Sequence, residues 1–183
     1  GGTVYAAPLK AVEVDREGVL RLKWWKNNDK LKTKLVNTRL VTAGTAYPAS
    51  FRMLDTKLDL SRTHVIEGTV GKMPPQAGGG GKPGIYFENG NGQGQCLLLA
   101  REAVQFGGIK ADGSGFNVQQ TSSRNLDLGP VLKFRLIIKE DMMELYVNDY
   151  LMNLKRVGCN GQIGFMGAGN EAAFKNIKVW QSN

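Results

Sequence analysis

The run VLKFRLIIKE (residues 131–140), followed by MMELYVNDYLMNLKRV (residues 142–157), decides the fold. Apolar side chains alternate at Leu132, Phe134, Leu136 and Ile138, and again at Met143, Leu145 and Val147. A two-residue period puts each set on one face of a pleated strand, which no helix would do. Lys139-Glu140-Asp141 and Asn148-Asp149 break the runs with residues whose side chains favour turns. The segment is expected to fold as consecutive antiparallel strands closing a sandwich.

Working outward, GQIGFMGAG (residues 161–169) and EAAFKNIKVW (residues 171–180) complete the C-terminal unit. In the last of these, Phe174 has one parity and Ile177 and Val179 the other. Burying all three requires a β-bulge near Lys175-Asn176, and a flat strand would leave Phe174 exposed. At the other end, Val12 and Val14 lead into Asp15-Arg16-Glu17-Gly18, and residues 19–24 lead out, which reads as a hairpin with Gly18 at a positive-φ turn position. Between the ends lie further strands at residues 51–54, 64–70, 85–88, 95–100, 104–109 and 116–121, with residues 40–51 read as a connector and Asn27-Asn28-Asp29-Lys30 as a polar turn. The glycine run at residues 78–84 reads as an exposed loop; Lys82-Pro83 is not the Gly-Lys-Ser/Thr ending of a phosphate-binding loop. About a dozen strands without helical periodicity predict an all-β, two-sheet antiparallel jelly-roll sandwich.

With 183 residues and 42% hydrophobic content, the chain is long enough for one well-buried core. No stretch approaches the about eighteen apolar residues of a membrane helix. The opening Gly1-Gly2 without Met is expected of a processed chain whose targeting segment is gone. The net charge of +8 raises nucleic acid, anionic polysaccharide or membrane contact as partners. The basic residues Lys23, Lys26, Lys30, Lys32, Lys34 and Arg39 cluster, but charge alternating along strands is first of all a solvated face, and no nucleic-acid motif accompanies it. A single histidine, His64, excludes a histidine-rich metal site, and Cys96 and Cys159 read as free thiols beside apolar strands, with a disulfide left open for an exported protein.

The phrases ELYVNDYL (residues 144–151) and GQIGFMGAGNEAAFKNIKVW (residues 161–180) resemble the closing strands of concanavalin A-like, laminin-G-type sandwiches. Such modules stand at the C-terminus of family 32-type glycoside hydrolases and in 3-keto-disaccharide hydrolase-like domains. The resemblance implies a final strand lying beside the N-terminal one. It also implies residues 1–30 as a hairpin and link to an upstream catalytic domain, with residues 31–183 as the sandwich module and the whole as one compact domain. Export to the periplasm or cell surface follows from the same likeness, as does a non-catalytic role bracing that domain and holding a polysaccharide or oligosaccharide. The alternative it implies is a catalytic 3-keto-disaccharide hydrolase-like domain.

Sugar recognition needs an aromatic platform for the C–H face of the ring and amides or charged groups for its hydroxyls. The candidates of those types are Tyr86, Glu88, Asn89, Asn91 and Gln93 around one hairpin, Arg101, Gln119 and Arg124 nearby, and Tyr146 with Asn148 on a polar strand face. Trp24 and Trp25 are adjacent, so one points inward and the other outward, and Trp25 is the candidate platform. No Glu-x-Asp-x-x-Glu strand or Gly-x-Ser-x-Gly elbow provides catalytic groups, and Glu140, Asp141 and Glu144 straddle a turn. No cofactor is expected; calcium would have Asn170, Glu171 and Asp15 as its donors, too few for a firm site.

Overall fold

The computed structural model describes residues 6–43, 51–71, 82–90, 93–110, 112–167 and 174–182. Their strands are β1 (Lys10–Val14), β2 (Leu20–Trp24), β3 (Lys34–Leu35), β4 (Leu40–Thr42), β5 (Phe51–Leu54), β6 (His64–Val70), β7 (Gly84–Glu88), β8 (Gln93–Leu99), β9 (Val104–Lys110), β10 (Asn117–Ser122), β11 (Leu132–Lys139), β12 (Met142–Val147), β13 (Tyr150–Arg156), β14 (Ile163–Met166) and β15 (Phe174–Gln181). One sheet runs β1-β2-β13-β12-β11-β6-β15-β3 and the other β10-β9-β8-β7-β14-β5-β4, with every pairing antiparallel.

The alternation read from residues 131–157 sets the register. Phe134 lies opposite Val147, Leu136 opposite Leu145 and Ile138 opposite Met143, all facing the second sheet. They meet Ile85, Phe87, Leu97, Leu99, Val104, Phe106, Ile163 and Phe165 from that sheet. Phe134, Phe165 and Phe174 join the layers as an aromatic cluster with centroids 5.0 to 6.1 Å apart, within the range where edge and tilted contacts add to burial.

The expected bulge is present. Lys175 lies opposite Thr69 and Lys178 opposite Glu67, so Asn176 and Ile177 together face the single residue Gly68. Asn176 takes φ +56°. The extra residue lets Phe174 and Val179 both be buried and Ile177 pack on the core.

Three expectations are corrected. The final strand β15 lies between β6 and β3, whereas β1 is at the opposite edge of the sheet. Residues 40–42 form a short edge strand against β5 rather than a plain connector. The polar turn at residues 27–30 is a 3-10 helix, Lys26–Leu31, in which buried Asn28 donates its amide to the Leu9 carbonyl. That helix lies at the outer face of the first sheet, where Leu31 packs on Trp24, Val65, Ile137 and Tyr146. The glycine-rich loop lies almost wholly outside the described residues. Cys96 and Cys159 are both free, Cys96 buried and Cys159 half-buried.

Candidate functional site

The β1–β2 hairpin is tied to the rest of its sheet at one corner. Lys23 pairs with Tyr150, and the Trp24 N–H donates to the Asp149 carbonyl at 2.7 Å. From that corner β2 peels away from β13 and leaves a cleft of about 680 Å³. On one side stand Leu20 and Leu22 with Tyr150 and Leu151; on the other, the end of β10 and the segment after it present Gln120, Thr121, Ser122, Ser123, Arg124 and Asn125.

The hairpin is held open from within. Asp15 accepts the N–H groups of Glu17 and Val19, and its other oxygen takes the Arg21 guanidinium. The Val19 N–H, with the Arg21 guanidinium and the Glu17 N–H, outweighs the upward pull of desolvation and leaves the Asp15 carboxyl below its ordinary range. Buried Arg21 spans the gap to donate to the Arg124 carbonyl. Arg124 and Asn125 both stand in left-handed backbone, φ +58° and +50°, which turns the chain sharply and leaves both side chains exposed. Asp15 is thereby engaged in fixing the hairpin; Asn170 and Glu171, the other suggestive calcium donors, lie outside the described residues.

A second depression, about 590 Å³, lies on the outer face of the first sheet. Its floor is Glu67, Gly68 and Thr69 of β6; Lys133 and Arg135 of β11, Lys178 and Asn176 of β15, and the β12–β13 turn at Asn148-Asp149 surround it. Arg135 stacks 5.0 Å over the Trp24 ring and pairs with Glu67 at 2.9 Å and with Asp149. Burial pulls the Glu67 carboxyl up, but Lys32 and Arg135 beside it outweigh that and hold it low.

The expected sugar-contacting residues do not converge. Tyr86 and Tyr146 are buried, not surface platforms: each phenol donates to a carboxylate two residues away on its own strand at 2.6 Å, Tyr86 to Glu88 and Tyr146 to Glu144. Their rings pack in T-shaped contacts, Tyr86 on Phe51 and Tyr146 on Trp24. Glu88 is buried with Tyr86 and also accepts the Gly90 N–H. Asn89 and Gln93 are exposed at the β7–β8 turn, and Asn91 lies outside the described residues. Arg101 forms an ion pair with Asp127 at 2.6 Å and lines neither cleft. Trp25 is 36% exposed and Trp24 8%, so the outward indole is Trp25 as expected, but it lines neither cleft. Among the described candidates, Arg124 lines the first cleft and Asn148 the second. Asn148 is also structural, accepting the Lys133 N–H and donating to the Leu128 carbonyl. Gln120, Thr121, Ser122, Ser123 and Tyr150 were not picked out by sequence; a hydroxyl- and amide-rich strand such as VQQTSS was the available signal.

The two sheets define the class: an all-β, two-sheet antiparallel sandwich of the concanavalin A-like type. The particular likenesses are structural. The fold matches the wild-type fructosyltransferase from A. japonicus with TM-score 0.54 and 10% identity, covering 95% of this chain and 31% of that one. It matches sucrose-6-phosphate hydrolase from Lactobacillus gasseri with TM-score 0.51 and 14% identity, over 95% of this chain and 33% of that one. The β-fructofuranosidase from Aspergillus kawachii matches with TM-score 0.50 and 10% identity, over 88% and 29%. The chain thus spans about a third of the length of these enzymes. No model of a known protein family matches the sequence, and no curated protein is significantly similar to it.

Proposed function

We propose that the chain is a non-catalytic, carbohydrate-associated module of an exported glycoside hydrolase. In this reading it braces a catalytic domain in the same polypeptide and takes a glycan in the cleft beside the β1–β2 hairpin. The lining of that cleft carries the reading: apolar Tyr150 and Leu126 stand beside a row of amides, hydroxyls and the Arg124 guanidinium. A sugar ring offers the same two chemistries, a C–H face and a rim of hydroxyls. The bracing half is supported by the cross-strand pairs Val12–Leu22 and Val14–Leu20, four exposed apolar side chains on one face of an edge hairpin. The fold likeness to parts of longer carbohydrate-active enzymes supports a partner in cis.

Calorimetric titration with fructan, glucan and galactan oligosaccharides tests the glycan half. Saturable binding that disappears in Arg124→Ala and Tyr150→Ala, with the fold intact by circular dichroism, supports it; silence across the neutral panel overturns it. The bracing half is tested in the full-length polypeptide, where Leu20→Asp with Leu22→Asp should free the module to limited proteolysis. An unchanged cleavage pattern would count against it.

A further inference from the structure

The bulge in β15 does more than preserve the core. Lys175 and Lys178 are three residues apart, so a regular strand would send them to opposite faces. With Asn176 inserted, both point outward, since their neighbours Phe174 and Val179 are both buried in the core. They thereby join Lys133 and Arg135 of β11 across the central strand β6. The register gives two rows: Lys133–Thr69–Lys175 and Arg135–Glu67–Lys178. Neighbours in such a row lie about 5 Å apart.

Charge within this grid is unbalanced. Arg135 and Lys32 neutralise Glu67, and Arg135 also holds Asp149. Lys133, Lys175 and Lys178 are exposed and form no ion pair among the described residues. Lys133 and Lys175 flank Thr69 two strand spacings apart, roughly 10 Å, so an anionic group lying over β6 would meet both at once. Around them the second cleft offers Thr69, Asn148 and Asn176, groups suited to hydroxyls.

We propose that this outer-sheet cleft binds an anionic polysaccharide, one carrying repeated carboxylate or sulfate groups, with Lys133, Lys175 and Lys178 as the contacts to its charges. The site is separate from the hairpin cleft and stands whether or not that cleft takes a neutral glycan. A polysaccharide is favoured over nucleic acid by the floor of the site. Trp24 is buried and capped by Arg135, and Trp180, on the same face of β15, packs into the same cluster and does not line the cleft, so neither indole is offered there as a platform for a base.

The test uses polygalacturonate and dextran sulfate, with unmodified dextran and single- and double-stranded DNA as the other arms, all compared at the same salt concentration and repeated over a salt series. Lys133→Gln with Lys178→Gln should weaken binding of the two anionic polysaccharides by about tenfold, and affinity should fall as salt rises. Lys57→Gln with Lys110→Gln removes the same charge elsewhere and should change affinity less than about twofold. Equal losses in both double variants would mean attraction to net charge alone, and would overturn the site. Absence of binding to both anionic polymers, or tighter binding to either DNA, would overturn it as well. Failure of the neutral panel against the hairpin cleft leaves these outcomes unaffected.

Discussion

Tyr146 and Glu144 stand two residues apart on β12, and the phenol donates to the carboxylate at 2.6 Å with both side chains buried on the outer face of their sheet. The other carboxylate oxygen takes the Lys10 ammonium at 2.8 Å, and Lys10 also donates to the Pro8 carbonyl. A carboxylate this deep persists only because a cation and a hydroxyl replace its water. The N-terminal strand is therefore fastened over the sheet by the same contact that makes Glu144 tolerable. Lys10→Met leaves the Glu144 charge unpaired and should cost about 3 kcal/mol, the lower end of the range for breaking a buried pair, because Lys10 keeps some exposure. The double variant Lys10→Met with Glu144→Leu should recover most of the loss. Urea denaturation of the native chain and the two variants measures this; equal stability of the single and double variants would refute it.

His64 gives the fold an acid-side slope. Its ring is buried, which favours the neutral form and holds its pKa below the ordinary value of 6.5, while Nδ1 contacts the Arg62 carbonyl at 3.1 Å. As pH falls through about 6.5, the unfolded chain takes up the proton first, so stability present above that pH is lost below it. Glu67 adds a second loss at lower pH, because its carboxyl is held below the ordinary 4.5 and its contribution, present above that value, disappears as acid protonates it. Urea midpoints at pH 8, 6.5 and 5 should decline for the native chain and decline less for His64→Gln. Parallel curves would show that His64 is not the group responsible.

The closing meander was legible because its strands are half-buried by alternation and its turns carry their own chemistry. Asn148 and Asp149 both adopt positive φ, +48° and +71°, as the hairpin requires. The bulge was legible for a similar reason: three apolar residues of mixed parity cannot share a face without an extra residue. The site was less legible, and Tyr146 shows why. Parity correctly places it on the outer face, but parity does not reveal that Trp24 and the 3-10 helix cover that face. Tyr86 was misjudged on the same grounds. The cleft that does form depends on where β2 leaves β13, a tertiary divergence with no local sequence signal.

Glycine positions give a steric prediction. A Cβ at Gly161 would stand 2.2 Å from the Leu58 carbonyl oxygen, and its φ of +95° disfavours any side chain. The Gly161 carbonyl also accepts the Leu58 N–H at 2.9 Å, so the two backbones are locked together. Gly161→Ala should therefore destabilise by about 1–3 kcal/mol from backbone strain alone. Gly18, also at positive φ but with open space around it, should lose only the smaller conformational cost on Gly18→Ala. A comparison of thermal midpoints decides; a larger loss at Gly18 than at Gly161 would contradict the packing argument.

Asn176 separates two consequences of the bulge. Its φ of +56° is accessible to Asn and Gly and costly for a β-branched residue, which would meet its own backbone there. Asn176→Val should cost about 1–2 kcal/mol, whereas Asn176→Gly should fold with little loss. The Gly variant keeps the bulge and both lysines on the outer face and loses only the Asn176 amide, so its affinity for dextran sulfate should fall much less than that of Lys133→Gln with Lys178→Gln. In Asn176→Val the strained bulge should relax at the expense of either Phe174 burial or the outward direction of Lys175. Thermal melting and binding measured on both variants test the link. If Asn176→Val kept native stability and native binding, neither the register nor the cation grid would depend on this residue.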